Sequence, residues 1–387
     1  MKKICVDLSA MNVNYKGGVN TYVHGILSGI SKVKTLIKFN IVCTNKVYKS
    51  IKNYKSKNIN FVRVNEPLSF YKYLLKICVI LNSRKLYYFI NNLKWQQITN
   101  ICDNLGDLTY IPTTILNGYN GLKPRVISIH DIQHKHYPEN FKFLELRSIR
   151  IAYYLSVKYS FAVQASSEFI KKDLLNNYNF LKKKFIPVIR EGIDLDKFRI
   201  KIKHKQKKIT KNYLFYPAQL WPHKDHITVL KSFNKIKNKC NLDLVFTGAK
   251  MSSYKEIKNF IEKNDLNHRV KVLGLVKLEK LKFLYKNAYA IIIAAKYESS
   301  SLPILEASCI GVPVIASDTE PNLELRKYLR ILLFKVSDFN DLKKKINKIY
   351  NNKNLRSKMI FYNKKKVKKF KWINVVNQYI KYFNSLK

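Results

Sequence analysis

Short apolar runs alternate with longer helix-like segments along this chain, in two consecutive series. That alternation demands parallel strands, because two parallel strands need a crossover between them and the crossover, as a helix, covers the sheet. In the first series the strand candidates are 3–8, 38–44, 60–64, 108–111, 125–130, 160–165 and 185–190; in the second they are 213–217, 242–247, 270–273, 289–295 and 312–316. Leu278, Leu281, Leu284, Tyr285 and Ala288 give a helical stripe between two of the latter. Each series reads as a Rossmann-like unit, and 387 residues suffice for two such cores. Between them, the charged stretch from Arg199 to Asn212 has little to bury and predicts an interdomain linker over 199–212. The domains then fall at 1–198 and 213–370, with a terminal helix over 371–387.

The balance of 73 basic against 25 acidic residues, a net charge of +48, raises the question of nucleic acid. Lys, Asn, Ile, Tyr and Phe are over-used together, which is the bias of A- and T-rich codons. Arginine, which reads guanine edges and grips phosphate in a fork, is scarce beside lysine. No specific nucleic-acid partner is expected, although so positive a surface attracts anionic lipid at low salt. Cys5, Cys43, Cys78, Cys102, Cys240 and Cys309 are scattered without a Cys-x-x-Cys pair and read as reduced core residues of a cytosolic protein. No apolar run is long enough for a signal peptide or a bilayer span, so the expectation is a cytoplasmic protein whose membrane contact, if any, is peripheral on the inner face. From Lys46 to Lys94 basic residues are interleaved with aromatic and aliphatic ones, and Glu66 is the only acid. This segment reads either as a core helix pair with solvated lysines or as a face that docks on an anionic leaflet.

The chemistry concentrates after the apolar run Ala290–Ala295, in Tyr297-Glu298-Ser299-Ser300-Ser301-Leu302-Pro303-Ile304-Leu305-Glu306-Ala307. The run predicts a buried strand and Pro303 the first turn of a helix, which puts Glu298 on the loop and Glu306 on the helix. Free amides at a helix N-terminus above a strand's carboxyl end favour phosphate, and two carboxylates beside them can hold sugar hydroxyls. For an isolated unit of this kind, a solvated helix face is the alternative. These residues, with Gly311–Ser317 and Pro321–Glu324, resemble the donor-site segment of family 4 glycosyltransferases. Those are retaining enzymes of the α/β GT-B fold: two Rossmann-like domains, a cleft between them, and a C-terminal helix that crosses back. The resemblance covers nearly the whole chain, and implies that Glu298 contacts the transferred sugar and Glu306 the ribose hydroxyls. The family has a Gly-Phe-Gly-like stretch where this chain has Ser299, Ser300 and Ser301. Serine keeps the amide, adds a hydroxyl and, at Ser301, is placed to cap the helix, but it takes positive backbone angles less readily than glycine.

Further segments fit the same resemblance. In Tyr216–His226, Lys224 matches a lysine that meets the departing diphosphate, whereas Gln219 stands where the family carries an arginine. In Lys16–Tyr22, Gly17 and Gly18 let backbone approach a ligand, and the resemblance places them across the cleft from the pyrophosphate, near the acceptor. In Val126–Glu139 the His130-Asp131 pair ends a strand, and the resemblance puts His130 next to the reacting sugar. His130, His134 and His136 lack the spacing of a structural zinc site. Asp194-Leu195-Asp196 matches a metal-binding tripeptide of another transferase fold and is read as structural. His130 and Glu298 are thus the catalytic candidates; Gly17, Gly18, Gln219, Lys224, Glu298, Ser300, Ser301, Leu302 and Glu306 are the donor-binding ones. No metal or other cofactor is expected. The implied reaction moves a hexose, with a leaning toward mannose, from a nucleotide diphosphate sugar to a glycan or lipid-linked glycan in surface polysaccharide synthesis. A sugar-nucleotide epimerase on the same fold and an inactive polyanion-binding scaffold are the rivals.

Overall fold

The apolar runs form parallel strands in the computed structural model, which describes residues 2–14, 17–199 and 212–386. The chain divides into two units: Met1–Gly192 together with Trp372–Lys387, and Ile193–Lys371. In the first unit β1 (Lys3–Asp7), β2 (Lys38–Thr44), β3 (Ile59–Val64), β4 (Leu108–Ile111), β5 (Arg125–Ile129) and β6 (Ala162–Ala165) lie in the order β3-β2-β1-β4-β5-β6. In the second, β7 (Tyr213–Pro217), β8 (Asp243–Thr247), β9 (Val270–Val272), β10 (Ala290–Ile293), β11 (Val314–Ser317) and β12 (Leu332–Phe334) lie in the order β12-β11-β10-β7-β8-β9. Both are doubly wound sheets. In each, the chain reverses its direction of travel beside the first strand, and the crossovers on the two sides diverge to open a crevice above the carboxyl ends. In the second unit that place is between β7 and β10, whose register pairs Ala290 with Leu214 and Ile291 with Phe215.

Central strands of such sheets are buried on both faces, which accounts for their unbroken apolar character. Ile291, Ile292, Ile293, Ala294 and Ala295 are all buried. The expected strand at 185–190 is a correction: only a bridge between Ala165 and Val188 forms there. Pro187 has no N–H to donate, so the segment runs beside β6 without joining it as a full strand. Conversely β12, with three residues, is too short to show a period in the sequence.

The unit boundary falls ahead of the stretch expected as a linker, of which residues 200–211 lie outside the described residues. Ile193 and Leu195 join the second unit's core, and the Ile193 N–H donates to the Phe370 carbonyl at 2.7 Å. The helix Leu195–Arg199 belongs with them, because its apolar residues find their partners there rather than in the first unit.

The helix Trp372–Ser385 completes the first unit by packing on the helix Gly18–Lys32. Two glycines make that approach possible. A Cβ on Gly25 would stand 1.9 Å from Trp372 Cε2, and one on Gly29 would stand 2.5 Å from Val376 Cγ2. The contact is also polar: the Tyr379 hydroxyl donates to Gln164 Oε1 and pairs with the Tyr22 hydroxyl, which lies 2.8 Å from that of Tyr110. Tyr110 in turn pairs with Ser128 Oγ at 2.7 Å. Every member is buried, so each hydroxyl relies on the others for its hydrogen bonds. Gly25→Val is expected to lower stability by about 1–3 kcal/mol through overpacking against Trp372. Gly18→Ala, where the new Cβ meets no other part of the described residues within 4 Å, is expected to change it by less than about 0.5 kcal/mol. Chemical denaturation of the two variants checks the difference.

Candidate active site

Two loops rise from the crevice of the second unit. After β7 the chain passes through Ala218–Trp221 into a 3-10 turn, Pro222–Lys224, and then the helix His226–Asn234. After β10 it runs through Ala294–Ser301 into the helix Leu302–Ile310. The Lys296 N–H donates to the His223 carbonyl at 2.7 Å, and the Tyr216 hydroxyl donates to the Lys224 carbonyl at 2.7 Å, so backbone and β7 hold the two loops together. At their meeting point Lys224 Nζ donates to Glu298 Oε1 at 2.7 Å, with the side chains only 19% and 12% exposed. A charge-assisted bond this short fixes both groups while leaving two ammonium protons and Glu298 Oε2 for a ligand.

Lys224 is followed by Asp225 at φ 50° and ψ 48°, a left-handed conformation uncommon for a side chain other than glycine. Its carboxylate holds the turn: Oδ1 accepts from the Thr228 N–H at 3.4 Å, and Oδ2 accepts from Thr228 Oγ1 at 2.9 Å and from Ser337 Oγ at 2.7 Å. Asp225 and Ser337 were missed by sequence reasoning. An Asp directly before an apolar helical stripe is the cap signal that could have found the first; Ser337, distant in sequence, had none. Gly248, at φ 138°, lets the next loop close on the first, since a Cβ there would stand 2.2 Å from the Ala218 carbonyl oxygen. Gln219 spends its amide oxygen within its own loop, accepting from the Trp221 indole N–H at 3.0 Å.

Ser301 does not cap the helix as expected. Its hydroxyl donates to Asn322 Oδ1 at 2.6 Å, and a hydroxyl directed there offers no bond to the helix amides. Asn322 Nδ2 donates to the Ser317 carbonyl at 2.9 Å, and Ser317 Oγ donates to the Ala295 carbonyl at 2.6 Å. The loop bearing Glu298 is therefore tied at both ends to β11 and to the helix Glu320–Arg326. None of Ser299, Ser300 and Ser301 has a positive φ, so the serines stand without the backbone freedom of glycine. Ser300 and Leu302 are half-buried at the start of the helix.

Glu306 lies further down the same helix and is engaged differently. The Tyr285 hydroxyl donates to its Oε2 at 2.6 Å, and the Tyr285 ring stands edge-on to Phe215 of β7 at 5.2 Å. Burial lifts the Glu306 carboxyl above the usual carboxylate range, against the opposing pull of Tyr285 and Lys197. In the sequence Tyr285 is one member of a helical stripe; its bond to Glu306 is visible in three dimensions alone.

In the first unit His130 follows β5. Its Nε2 lies 2.8 Å from the Pro112 carbonyl oxygen and its Nδ1 3.6 Å from Glu191 Oε1, with the Tyr22 ring edge-on at 4.5 Å. Burial opposes the charged ring, but Glu191, the Pro112 carbonyl and Asp131 outweigh it and raise the pKa. The other histidines go elsewhere: His136 Nε2 pairs with Asp173 Oδ2 at 2.6 Å, and His134 is buried against Tyr153. Among the described residues no group of three or more His, Cys, Asp or Glu is placed to share a metal ion. Asp194 Oδ1 accepts from the Lys197 N–H at 3.0 Å, the geometry of a helix cap. Gly17 stands at the N-cap of the helix Gly18–Lys32, and, its chain neighbours and own helix backbone aside, no atom of the described residues lies within 4 Å of where a Cβ on Gly18 would be. Packing among the described residues thus does not account for a glycine at 18.

Two doubly wound parallel sheets in these two units make this a protein of the GT-B fold. Residues 197–366 match the glycosyl transferases group 1 family. The chain is 28% identical over 197 residues to the O-antigen chain mannosyltransferase RfbU of Salmonella typhimurium, which covers 51% of this chain and 53% of that protein. It is 27% identical over 108 residues to the O-antigen chain mannosyltransferase B of Escherichia coli, 27% of this chain and 28% of that one. The chain thus spans about half or less of the curated relatives it matches. Among solved structures, Anabaena Alr3699/HepE in complex with UDP and glucose superposes over the full length of both chains with a TM-score of 0.74 at 16% identity.

Two histidines beside Lys224 give this site a pH signature. Burial and the Lys224 charge push His223 and His226 down to about 3. A histidine with a depressed folded pKa stabilises the fold fully above its unfolded value of about 6.5, and that contribution is lost as pH falls toward 3. The second unit is expected to lose thermal stability progressively below about pH 6.5, and His226→Phe, which preserves the stack on Tyr216, to flatten the slope. Melting curves across that range check it.

Proposed function

We propose that this protein is a retaining glycosyltransferase that moves a hexose, mannose-like by its relatives' names, from a nucleotide diphosphate sugar to a glycan or lipid-linked glycan. The observation that carries the reading is the Lys224–Glu298 pair at the crevice of the second unit, beside the N-terminus of the helix Leu302–Ile310. Negative charge develops on the diphosphate as the sugar departs. The Lys224 ammonium and the first amides of that helix stabilise it, fixed in place before the reaction begins. Glu298, through Oε2, accepts a hydroxyl of the transferred sugar. Glu306 offers Oε1 to the ribose while Tyr285 holds Oε2. Gln219 supplies no charge, so the leaving group rests on Lys224 and the amides. In the first unit, His130 and the Gly17-Gly18 backbone, at the carboxyl ends of β5 and β1, are assigned to the acceptor side.

The same arrangement supports a reaction without a metal or other cofactor, because the positive charge facing the diphosphate comes from a side chain and a helix terminus. The acceptor is met at an anionic membrane face, as part of surface polysaccharide assembly. Glu298→Gln is expected to lower turnover about 100-fold with a smaller change in nucleotide affinity, and Glu306→Gln to weaken nucleotide binding by about 1–3 kcal/mol. Calorimetry with nucleotide sugars, beside initial rates, separates the two; equal and negligible effects would remove both residues from the site. Activity is expected to survive EDTA. Loss on chelation with recovery in manganese would overturn the metal-free reading.

A further inference from the structure

We propose that the outward faces of the helices Phe70–Ile80 and Arg84–Leu105 form a surface of the first unit that inserts into an anionic lipid bilayer. A helix on a globular protein normally buries its apolar stripe and shows a polar face to water. Here each helix carries a second apolar stripe on the outside. In the first helix Leu75, Cys78 and Val79 are buried, while Phe70, Tyr73, Ile77 and Ile80 are exposed, Tyr73 to 71%. In the second, Tyr87, Trp95 and Ile98 are buried, while Leu86, Phe89 and Leu93 are exposed, Phe89 to 58%. The exposed residues recur at intervals of three and four, so each set shares one side of its helix. A third helix, Phe143–Tyr159, adds an exposed Phe143, and its Arg147 guanidinium lies over the Phe143 ring and donates to the Ile80 carbonyl at 2.9 Å. Large apolar side chains gathered on an outer face mark an interaction surface.

The charges select the partner. No Asp or Glu occurs between Glu66 and Asp103, whereas Lys72, Lys76, Arg84 and Lys85 are exposed among the apolar residues. A second copy of this chain would bring the same cations face to face, which disfavours self-association through this surface. Nucleic acid would satisfy the cations but not Ile77, Ile80 and Leu81. An anionic bilayer satisfies both, with head groups at the cations and acyl chains at the apolar stripe. No helix among the described residues is long and apolar enough to cross a membrane, so the contact is interfacial. Only its link to a lipid-linked acceptor rests on the transferase reading.

The test is co-sedimentation of the full chain with phosphatidylglycerol-containing and pure phosphatidylcholine vesicles, at low and high salt. The wild type is expected to bind the anionic vesicles and to weaken with salt. Changing Lys72, Lys76, Arg84 and Lys85 to Glu is expected to cut binding at least about tenfold at low salt. Tyr73→Ser with Phe89→Ser is expected to cut it about tenfold at high salt as well, where charge is screened and insertion carries the contact. All these side chains are exposed, so the variants fold, and calorimetry with a nucleotide sugar is expected to be unchanged in them. That second measurement separates a failure here from a failure of the transferase reading. Equal binding to neutral vesicles by every variant, or loss of a dimer rather than of vesicle binding in Tyr73→Ser/Phe89→Ser, would overturn the proposal.

Discussion

The amide of Asn322 is the tie on which the second unit's site depends. It accepts from the Ser301 hydroxyl and donates to the Ser317 carbonyl, while Ser317 reaches the Ala295 carbonyl from the next strand. All of these residues are buried, so no water competes and any broken member leaves a polar group without a partner. Between Ala295 and Ser301 the loop has little choice of path. Glu298 is delivered to one place above β10, and the helix amides to a place beside it.

Lys224 reaches that place from the other loop by a different device. Asp225 takes a left-handed turn that its own carboxylate stabilises through Thr228 and Ser337. The ammonium then meets Glu298 with little water around either group. Such a pair is costly to bury unless other groups use the remaining protons and oxygens, and the proposed ligand, with both phosphate and hydroxyls, has the groups to do so. Neutral His223 and His226 nearby add no competing positive charge. Glu306 is held separately by Tyr285, through a bond inside the helix layer.

The first unit shows the opposite arrangement at His130. Both ring nitrogens face acceptors, Pro112 and Glu191, and the ring packs on Tyr22, whose hydroxyl belongs to the buried cluster shared with Tyr379. Trp372 also stands edge-on to Tyr22, at 5.5 Å. The orientation of His130 is therefore set partly by a helix at the far end of the chain, and Gly25 and Gly29 are what allow that helix so close.

Periodicity and local motif were enough to read the two doubly wound sheets, the loop-then-helix position of Glu298 and Glu306, and the lysine after the first strand of the second unit. These features rest on short-range chemistry: apolar runs that must be buried on both faces, a proline at a helix start, and side chains at fixed spacing. Sequence could not decide the features that need a distant partner. Pro187 kept 185–190 out of the sheet, Ser301 turned from the helix amides to Asn322, and Tyr285 left the anonymous stripe to hold Glu306. Nor could it tell which side of the helices Phe70–Ile80 and Arg84–Leu105 faces the body, because each carries apolar residues on both sides. Composition and spacing determined which elements form; burial and hydrogen-bond partners across long sequence separations decided where their side chains point.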